Sequence, residues 1–212
     1  MSDDRDDYAL LDAWWSGDAP AGQQLFRRHF DAVYRFFCNK LGSGVDDLVQ
    51  DTFVALTKTR EKFRGDSKFR SFLFGIAYNQ LLKSRERGAK NGRIDEYESG
   101  RAAAIDTSPS RAMARKQEQE LLLRALRRLP LELQVVLELF YWEGCTSAQI
   151  AEIIEVPHGT VRSRLRRGRE TLEEVLAALE ADPSLVQSTM AGLETWLAEM
   201  RQHVATPANE PG

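Results

Sequence analysis

The segment from His158 to Arg169 carries the side chains best suited to binding nucleic acid. It holds five arginines within eight consecutive residues. At 100° per residue, Val161, Leu165, Gly168 and Leu172 share one side of a helix, which leaves the polar side chains on the other. An arginine there can bond both acceptors of a guanine in the major groove, and edge arginines can hold phosphates. The outward residues are Gly159, Thr160, Arg162, Ser163, Arg166 and Arg167, with Arg164 and Arg169 along the edges.

A shorter helix is predicted just before this segment. Thr146-Ser147-Ala148-Gln149 has the spacing of a capping box, and Glu155-Val156-Pro157 is a tight break. Two short helices joined by so brief a turn, with the small Ala151 where they cross, predict a helix-turn-helix. A solvated basic helix surface and a helix-turn-helix that contacts protein are the alternatives to DNA binding.

A second basic segment combines cations with an aromatic ring. Residues 60–93 include ten Lys/Arg against three Asp/Glu. A phenylalanine among cations favours single-strand binding, because bases stack on the ring while the cations follow the backbone. The alternative is that Phe72 and Ile76 pack against an earlier helix. In the predicted helix 69–87, the inward stripe is Phe74, Ala77, Tyr78 and Leu81, and the outward set is Phe72, Ile76, Asn79, Lys83 and Arg87, preceded by Arg64, Lys68 and Arg70.

The third predicted helix has a polar outer surface with one apolar residue in it. Ser43 is expected to cap this helix, with Asp46 in capping-box position. An exposed Val54 among carboxylates and an amide favours docking of a partner protein, with an ordinary polar surface as the alternative. A metal site built from Asp46, Asp47 and Asp51 is disfavoured, because His and Glu ligands are missing nearby and the first two carboxylates diverge by about 100°. The outer set is Asp47, Gln50, Asp51 and Val54, and the inner stripe is Val45, Leu48, Val49, Thr52, Phe53 and Leu56.

The chain is predicted to be all-α. Apolar residues recur at three- and four-residue steps, and alternating Val/Ile/Thr-rich segments are missing. Two small helical domains are expected, an N-terminal bundle at 1–87 and a C-terminal helix-turn-helix domain at 113–179. Small polar residues make 88–112 a flexible linker. The second helix, capped by Asp18, is expected to bury an aromatic-rich stripe of Leu25, Phe26, Phe30, Val33, Phe36 and Phe37.

Residues 180–212 are expected to form one more amphipathic helix and a tail. Asp182-Pro183 has the pattern of a cap and first turn. This helix could mask a DNA-binding surface, bind a regulator, or extend the core of the second domain.

The net charge of −3 conceals a strong segregation of charge. Residues 158–170 carry five Arg against one Glu, whereas 173–212 carry seven acids and one Arg. Two discrete basic segments in a mildly acidic chain favour two contacts with polyanions. No run approaches the ~20 apolar residues of a membrane span. Because the acidic N-terminus lacks the pattern of an export signal, a cytoplasmic location is expected.

Signals for catalysis are missing. We find no P-loop, nucleophile elbow, H-E-x-x-H motif or Cys–His pairing, so neither an enzyme activity nor a cofactor, metal or small-molecule substrate is predicted. Cys38 and Cys145 stand alone with only three His in the chain. A disulfide scaffold and a zinc finger are therefore not expected.

The helical motifs of both halves resemble bacterial sigma factors of the sigma-70 family. Val45-Asp-Asp-Leu-Val-Gln-Asp-Thr-Phe53 and Phe69-Arg-Ser-Phe-Leu-Phe-Gly-Ile-Ala-Tyr-Asn79 are similar to their second conserved region. Because only a linker separates these motifs from the later ones, the chain resembles the small extracytoplasmic-function (ECF) class. The segments that are similar to the fourth conserved region are Leu129-Pro130, Tyr141-Trp-Glu-Gly144, Ile150-Ala151-Glu152 and Gly159-Thr-Val-Arg-Ser-Arg-Leu-Arg-Arg-Gly-Arg169.

The resemblance implies a role in transcription initiation, with core RNA polymerase and promoter DNA as partners. The surface around Asp51 would dock on the clamp helices of the largest polymerase subunit. The turn at 65–70 and the helix after it would capture flipped non-template bases of the −10 element, and the helix 158–169, starting at His158, would bind the −35 duplex. The linker would thread the polymerase cleft toward the RNA exit path. An anti-sigma factor could be a further partner.

Two departures from the family pattern fall in the strand-binding helix. The family usually has Trp where this chain has Phe72, and often an Asp followed by basic residues where it has Lys83 and Glu86. These departures bear on the −10 preference.

The competing hypothesis is a helix-turn-helix repressor or activator that acts without being a polymerase subunit. Its N-terminal unit would sense a signal or dimerise, and the isolated protein would bind a palindrome tightly. A sigma factor would instead bind weakly alone and initiate specifically with core polymerase.

Overall fold

The computed structural model describes residues 4–41, 43–59, 68–90, 109–180 and 182–203. These residues form helices and turns, with no strand among them, so the all-α prediction is confirmed. The helices are α1 (Asp4–Trp15), α2 (Ala19–Cys38), α3 (Val45–Thr57), α4 (Phe69–Lys90), α5 (Pro109–Leu126), α6 (Leu131–Tyr141), α7 (Ser147–Ile153), α8 (His158–Leu179) and α9 (Pro183–His203).

The chain divides into two compact units. The first comprises residues 1–100 with 151–156, and the second comprises 101–150 with 157–212. Helices α1 to α4 lie in the first unit, α5, α6, α8 and α9 lie in the second, and α7 contributes residues to both. The ends of the predicted linker at 88–112 are helical, since α4 continues to Lys90 and α5 begins at Pro109, and the rest of it lies outside the described residues. None of the helices in the described part is long and apolar enough to cross a membrane.

Aromatic rings fill the core of the first unit. Phe69 and Phe74 of α4 are 0% and 1% exposed, and Phe36 of α2 meets Phe74 edge-on with ring centroids 5.6 Å apart. Asp18 begins α2 as predicted, since its carboxylate accepts a hydrogen bond of 3.3 Å from the backbone N–H of Ala21. This packing holds one side of α4 against α2.

The prediction that Phe26 is a core residue is wrong. Phe26 is 38% exposed and Phe30 is half-buried. Both lie at the margin of the buried stripe, where the Phe26 ring contacts Phe53 of α3 at a centroid distance of 4.7 Å and Phe30 at 5.1 Å. Ring-to-ring packing covers this margin on one side only. The other members of the stripe, Leu25, Val33, Phe36 and Phe37, are buried.

The prediction that Ser43 caps α3 is also wrong. The residue at the N-cap is Gly44, in a left-handed conformation with φ 73°, and no side chain caps the helix. A left-handed glycine turns the chain into the helix one residue after Ser43, so the serine hydroxyl does not meet the free N–H groups of the first turn. Asp46 and Asp47 still lie in that first turn, where the helix dipole favours negative charge.

The apolar core of the second unit joins its long helices. Leu122 and Leu126 of α5, Leu137 of α6 and Leu172 of α8 are each at most 3% exposed. Leu193 of α9, which is 2% exposed, completes this cluster. Of the roles considered for the C-terminal helix, its packing supports extension of the second core. Three further α9 side chains pack partly buried against the cluster, namely Leu185, Val186 and Met190.

A buried carboxylate ties α1 to α2. Asp7 is 0% exposed; one of its oxygens pairs with the Arg28 guanidinium, and the other accepts a hydrogen bond of 3.0 Å from Nε2 of His29. Burial by itself raises the pKa of Asp7. The hydrogen bonds and charges of His29 and Arg28 outweigh burial, so the pKa lies below its ordinary value of 3.8.

This shift predicts an acid-labile link between α1 and α2. Because the folded pKa of Asp7 lies below the unfolded one, the ionised carboxylate stabilises the fold above pH ~4, and the contribution is lost as pH falls through the folded pKa. We expect Asp7→Asn to be less stable than the unsubstituted protein at neutral pH, with the difference shrinking below pH ~4. Urea denaturation at several pH values measures the free energy of unfolding of both proteins. A difference between them that does not change with pH would contradict a lowered pKa of Asp7 in the folded state.

A close approach of α1 and α2 at Gly22 predicts a second stability effect. A Cβ atom at Gly22 would overlap the indole ring of Trp14, whereas one at Gly192 of α9 would meet nothing within 4 Å. We expect Gly22→Ala to lower the free energy of unfolding by about 1–3 kcal/mol. The matched Gly192→Ala should raise it by up to about 1 kcal/mol, because alanine is the better helix former. Urea denaturation measures the free energy of unfolding of both variants. Equal changes in the two variants would mean that the contact with Trp14 has no effect on stability.

Candidate nucleic-acid interface

Helices α7 and α8 form the predicted helix-turn-helix. The hydroxyl of Thr146 accepts from the backbone N–H of Gln149 at 3.2 Å, and the Gln149 side-chain oxygen accepts from the N–H of Thr146 at 2.8 Å. In the turn, Glu155 takes a left-handed φ of 54°, and the N–H of Val156 bonds the carbonyl of Ala151 at 3.1 Å. The predicted capping box and tight break are therefore confirmed.

One side of α8 packs inward as its spacing predicts. Val161 and Leu172 are 0% exposed, Gly168 is buried and Leu165 is half-buried. A Cβ atom on Gly168 would lie 3.1 Å from Cγ of Leu137. The glycine therefore allows α8 to lie close against α6.

The opposite side of α8 is polar and open to solvent. His158 at its start lies 2.7 Å from the Ser147 hydroxyl, measured from Nε2 to Oγ, which ties the beginning of α8 to α7. Of the residues predicted to contact duplex DNA, Thr160 and Arg164 are half-buried, and the exposed ones are His158, Gly159, Arg162, Ser163, Arg166, Arg167 and Arg169.

Two arginines of this surface, Arg166 and Arg169, each interact with another side chain of the protein. Arg166 pairs with Glu170 at 2.7 Å, but the two side chains are 73% and 54% exposed. Such a pair contributes only about 0.3–0.5 kcal/mol, so a nucleic acid can replace it. Arg169 donates to the Tyr141 hydroxyl at 2.8 Å, and its guanidinium carbon lies 5.9 Å from the centre of that ring. Tyr141 therefore orients Arg169 on the edge of α8.

Helix α4 presents a mixed aromatic and cationic surface. Its inward stripe is buried at Phe74, Ala77 and Leu81, with Tyr78 partly buried. The guanidinium of half-buried Arg70 lies 5.8 Å from the centre of the Phe74 ring. Arg64 lies outside the described residues. Of the remaining outward set, Phe72 and Ile76 are half-buried, and Lys68, Asn79, Lys83 and Arg87 are exposed.

The outer surface of α3 matches its prediction closely. Val54 is 42% exposed and is surrounded along the helix by exposed polar side chains. The side chain of Gln80 on α4 donates to the backbone carbonyl of Asp51 at 3.5 Å, which leaves the Asp51 carboxylate uninvolved in that bond. The members of the predicted docking surface, Asp47, Gln50, Asp51 and Val54, are all exposed.

Sequence reasoning did not identify the residues that orient these surfaces. Tyr141, which holds Arg169, was recognised only as part of a motif. Asp7 and His29 were not singled out, although a histidine inside the apolar stripe of α2 could have indicated a buried polar contact.

Two family models match separate segments of the chain. The model of sigma-70 region 2 matches residues 25–91, and the model of sigma-70 region 4 matches residues 119–172. The chain is 30% identical over 188 residues to the ECF RNA polymerase sigma-E factor of Escherichia coli (strain K12), covering 84% of this chain and 98% of that one. The chain belongs to the ECF class of sigma-70 factors. The sigma factor thus binds core RNA polymerase and directs promoter-specific initiation, and the competing repressor hypothesis is disfavoured.

Solved structures share the fold of this sigma factor. The structure of CnrH in complex with the cytosolic domain of CnrY has a TM-score of 0.61 at 24% identity and covers 82% of this chain and 98% of its own. The sigma factor RpoE of Bartonella quintana, in complex with the anti-sigma factor NepR, has a TM-score of 0.57 at 23% identity and covers 73% of this chain and 96% of its own. Helices α1 and α9 lie outside both segments that the family models match.

Proposed function

We propose that three surfaces of this sigma factor divide the work of promoter recognition. The observation that carries the proposal is that one chain exposes two separate cationic helix surfaces, on α4 and α8, and an acidic surface with an apolar centre, on α3. The first two suit nucleic acid in two different states, and the third suits a protein.

The outward side of α8 contacts the −35 element as duplex. Arg162, Arg166 and Arg167 project from an exposed helix side that a major groove can admit, and a guanidinium can bond both O6 and N7 of guanine. Ser163 and Gly159 allow close approach to the bases. Thr160, His158, Arg164 and Arg169 lie at the start and edges of this side and hold phosphates, which fixes the register without specifying sequence.

The outward side of α4 captures the separated strand of the −10 element. A base stacked on Phe72 contributes about 1–3 kcal/mol, while Lys68, Arg70 and Lys83 follow the phosphates and Asn79 offers hydrogen bonds. Arg87 extends the cationic path along α4. Arg64, which lies outside the described residues, is proposed to contact the same strand. Phenylalanine in the place of the family's usual tryptophan supplies a smaller ring for stacking.

Strand separation on this scheme is an exchange of interactions. Unpairing and unstacking cost a few kcal/mol, and stacking on α4 with phosphate contacts offsets that cost. The chain therefore needs no nucleotide hydrolysis and no cofactor, and it acts as a non-catalytic subunit in the cytoplasm, where the polymerase works.

The outer surface of α3 docks on the clamp helices of the polymerase. Val54 supplies a central apolar contact, and Asp47, Gln50 and Asp51 supply a polar rim of the kind found around interface hot spots. The same surface is available to an anti-sigma factor, and the solved structure of RpoE from Bartonella quintana is a complex with the anti-sigma factor NepR.

Run-off transcription with purified core polymerase on genomic fragments tests the proposed function. We expect template-specific transcripts only when this protein is added. Binding of the isolated protein to a palindrome, with no transcript, would overturn the proposal in favour of a repressor.

A further inference from the structure

The first residue of α4 is clamped by aromatic contacts from two other helices. The ring of Phe69 is 0% exposed. Tyr8 of α1 meets it edge-on, with ring centroids 6.4 Å apart and planes at 90°. The imidazole of His29 on α2 lies 5.0 Å from it at an angle of 50°. The start of α4 is therefore located by α1 and α2 together.

The imidazole in this clamp is itself oriented by Asp7. Nε2 of His29 donates to Oδ2 of Asp7 at 3.0 Å, and Arg28 engages the other carboxylate oxygen. Since Asp7 is fully buried, removing either partner leaves a buried polar group without its bond, which is costly. Asp7, His29 and Phe69 thus form a continuous series of contacts from α1 to the beginning of α4.

The clamped residue has members of the strand-binding surface on both sides of it in the chain. Lys68 immediately precedes Phe69, Arg70 comes directly after it, and Phe72 lies three residues on, almost one helical turn away. The backbone N–H of Phe72 bonds the carbonyl of Lys68 at 3.1 Å, so these residues share the first turn of α4. A shift of Phe69 would carry all three side chains with it.

We propose that Asp7, Tyr8 and His29 are positioning residues for capture of the separated strand. They act through Phe69, holding the first turn of α4 where its cations and the Phe72 ring can receive phosphates and a base. The proposal rests on the proposed function of α4. It assigns a role to α1, which precedes the segment that matches sigma-70 region 2.

The advantage of such a clamp is pre-organisation. A binding surface that is already ordered loses less conformational freedom when the strand arrives, and a surface about 1 Å out of place binds far more weakly. Loosening the clamp should therefore weaken strand binding while leaving surfaces distant from Phe69 as they are.

The experiment measures the affinity of holoenzyme, assembled from core polymerase and this protein, for two DNA probes. Both probes come from one promoter that run-off transcription has identified. One probe is its single-stranded non-template −10 segment, and the other is its −35 duplex. We expect Asp7→Asn and Tyr8→Leu each to weaken binding of the −10 strand by about tenfold. Binding of the −35 duplex and the affinity for core polymerase should change less than about twofold. Permanganate reactivity of unpaired thymines in the intact promoter should fall in parallel with strand binding.

The matched control is Trp15→Phe. Trp15 also lies on α1, but its indole N–H bonds the backbone carbonyl of Leu56 on α3 at 3.2 Å and not a residue of the clamp. This variant loosens α1 while sparing the clamp, and it should keep strand binding. If Trp15→Phe weakens strand binding as much as Asp7→Asn at equal loss of stability, or if Asp7→Asn binds the strand normally, the positioning role is wrong.

A third variant separates this proposal from the function on which it rests. Lys83→Ala removes an exposed cation of the strand-binding surface and leaves the clamp untouched. If Lys83→Ala weakens strand binding and Asp7→Asn does not, the clamp proposal fails while the proposed function stands. If neither variant weakens it, the assignment of α4 to the strand fails as well.

Discussion

Asp51→Arg is expected to eliminate association with core polymerase and, with it, promoter-specific transcription. The carboxylate is exposed beside Val54 at the centre of the α3 surface. The substitution therefore places a long, positively charged side chain where the proposed contact has a carboxylate. Truncations at interface hot spots cost about 2 kcal/mol or more, and a reversed charge adds repulsion. We expect a loss in affinity of at least about hundredfold, measured by pull-down and by competition for core polymerase.

Asp31→Arg on α2 is the matched control for this result. Asp31 is exposed in the same unit and undergoes the same change of charge, but it lies outside the α3 surface. It should leave association nearly unchanged, and both variants should keep the thermal midpoint of the unsubstituted protein. Normal association of Asp51→Arg would remove the docking assignment.

Arg166→Ala is expected to produce the second large effect, a loss of base discrimination at one position of the −35 element. If Arg166 bonds a guanine, its removal costs about 1–3 kcal/mol on the preferred sequence and little on sequences that lack that guanine. Its release from Glu170 is a minor effect, since that pair is exposed. Holoenzyme binding to promoters substituted at each −35 position measures the change.

Arg169→Ala provides the contrast within the same helix. Arg169 is held at the edge of α8 by the Tyr141 hydroxyl and is assigned to a phosphate. Its removal should weaken all sequences alike and reduce the slope of log affinity against log salt by about one. If Arg166→Ala and Arg169→Ala reduce binding equally on every sequence, the division of α8 into a base-contacting side and a phosphate-contacting edge is wrong.

Local patterns predicted those parts of the molecule that depend on local geometry. The burial of Val161, Gly168 and Leu172 on one side of α8 follows from helical periodicity alone. The capping box at Thr146 depends on four consecutive residues and was predicted in full. The exposure of Val54 followed in the same way, because its position on α3 is opposite the apolar stripe.

Features that depend on a neighbouring helix, or on the backbone conformation of a single residue, do not follow from these patterns. Periodicity placed Phe26 in the core, but the extent of its cover is set by how α3 packs on α2. Ser43 was a reasonable cap by type, and the left-handed φ of Gly44 moved the helix start past it. The contacts of Asp7 with His29 and of Arg169 with Tyr141 join residues more than twenty positions apart, which no local pattern reports.

The most direct test of the account places a DNA-cutting reagent on each cationic surface in turn. After replacement of the two native cysteines by alanine, single cysteines at Ser163 on α8 and at Asn79 on α4 carry the reagent into holoenzyme bound to one promoter. The account predicts that the reagent at 163 cuts the −35 duplex and that the reagent at 79 cuts the separated non-template strand near −10, in the same complex. Cutting of one and the same DNA segment from both positions, or of duplex alone from position 79, would contradict the claim that one chain binds paired and unpaired DNA at two places.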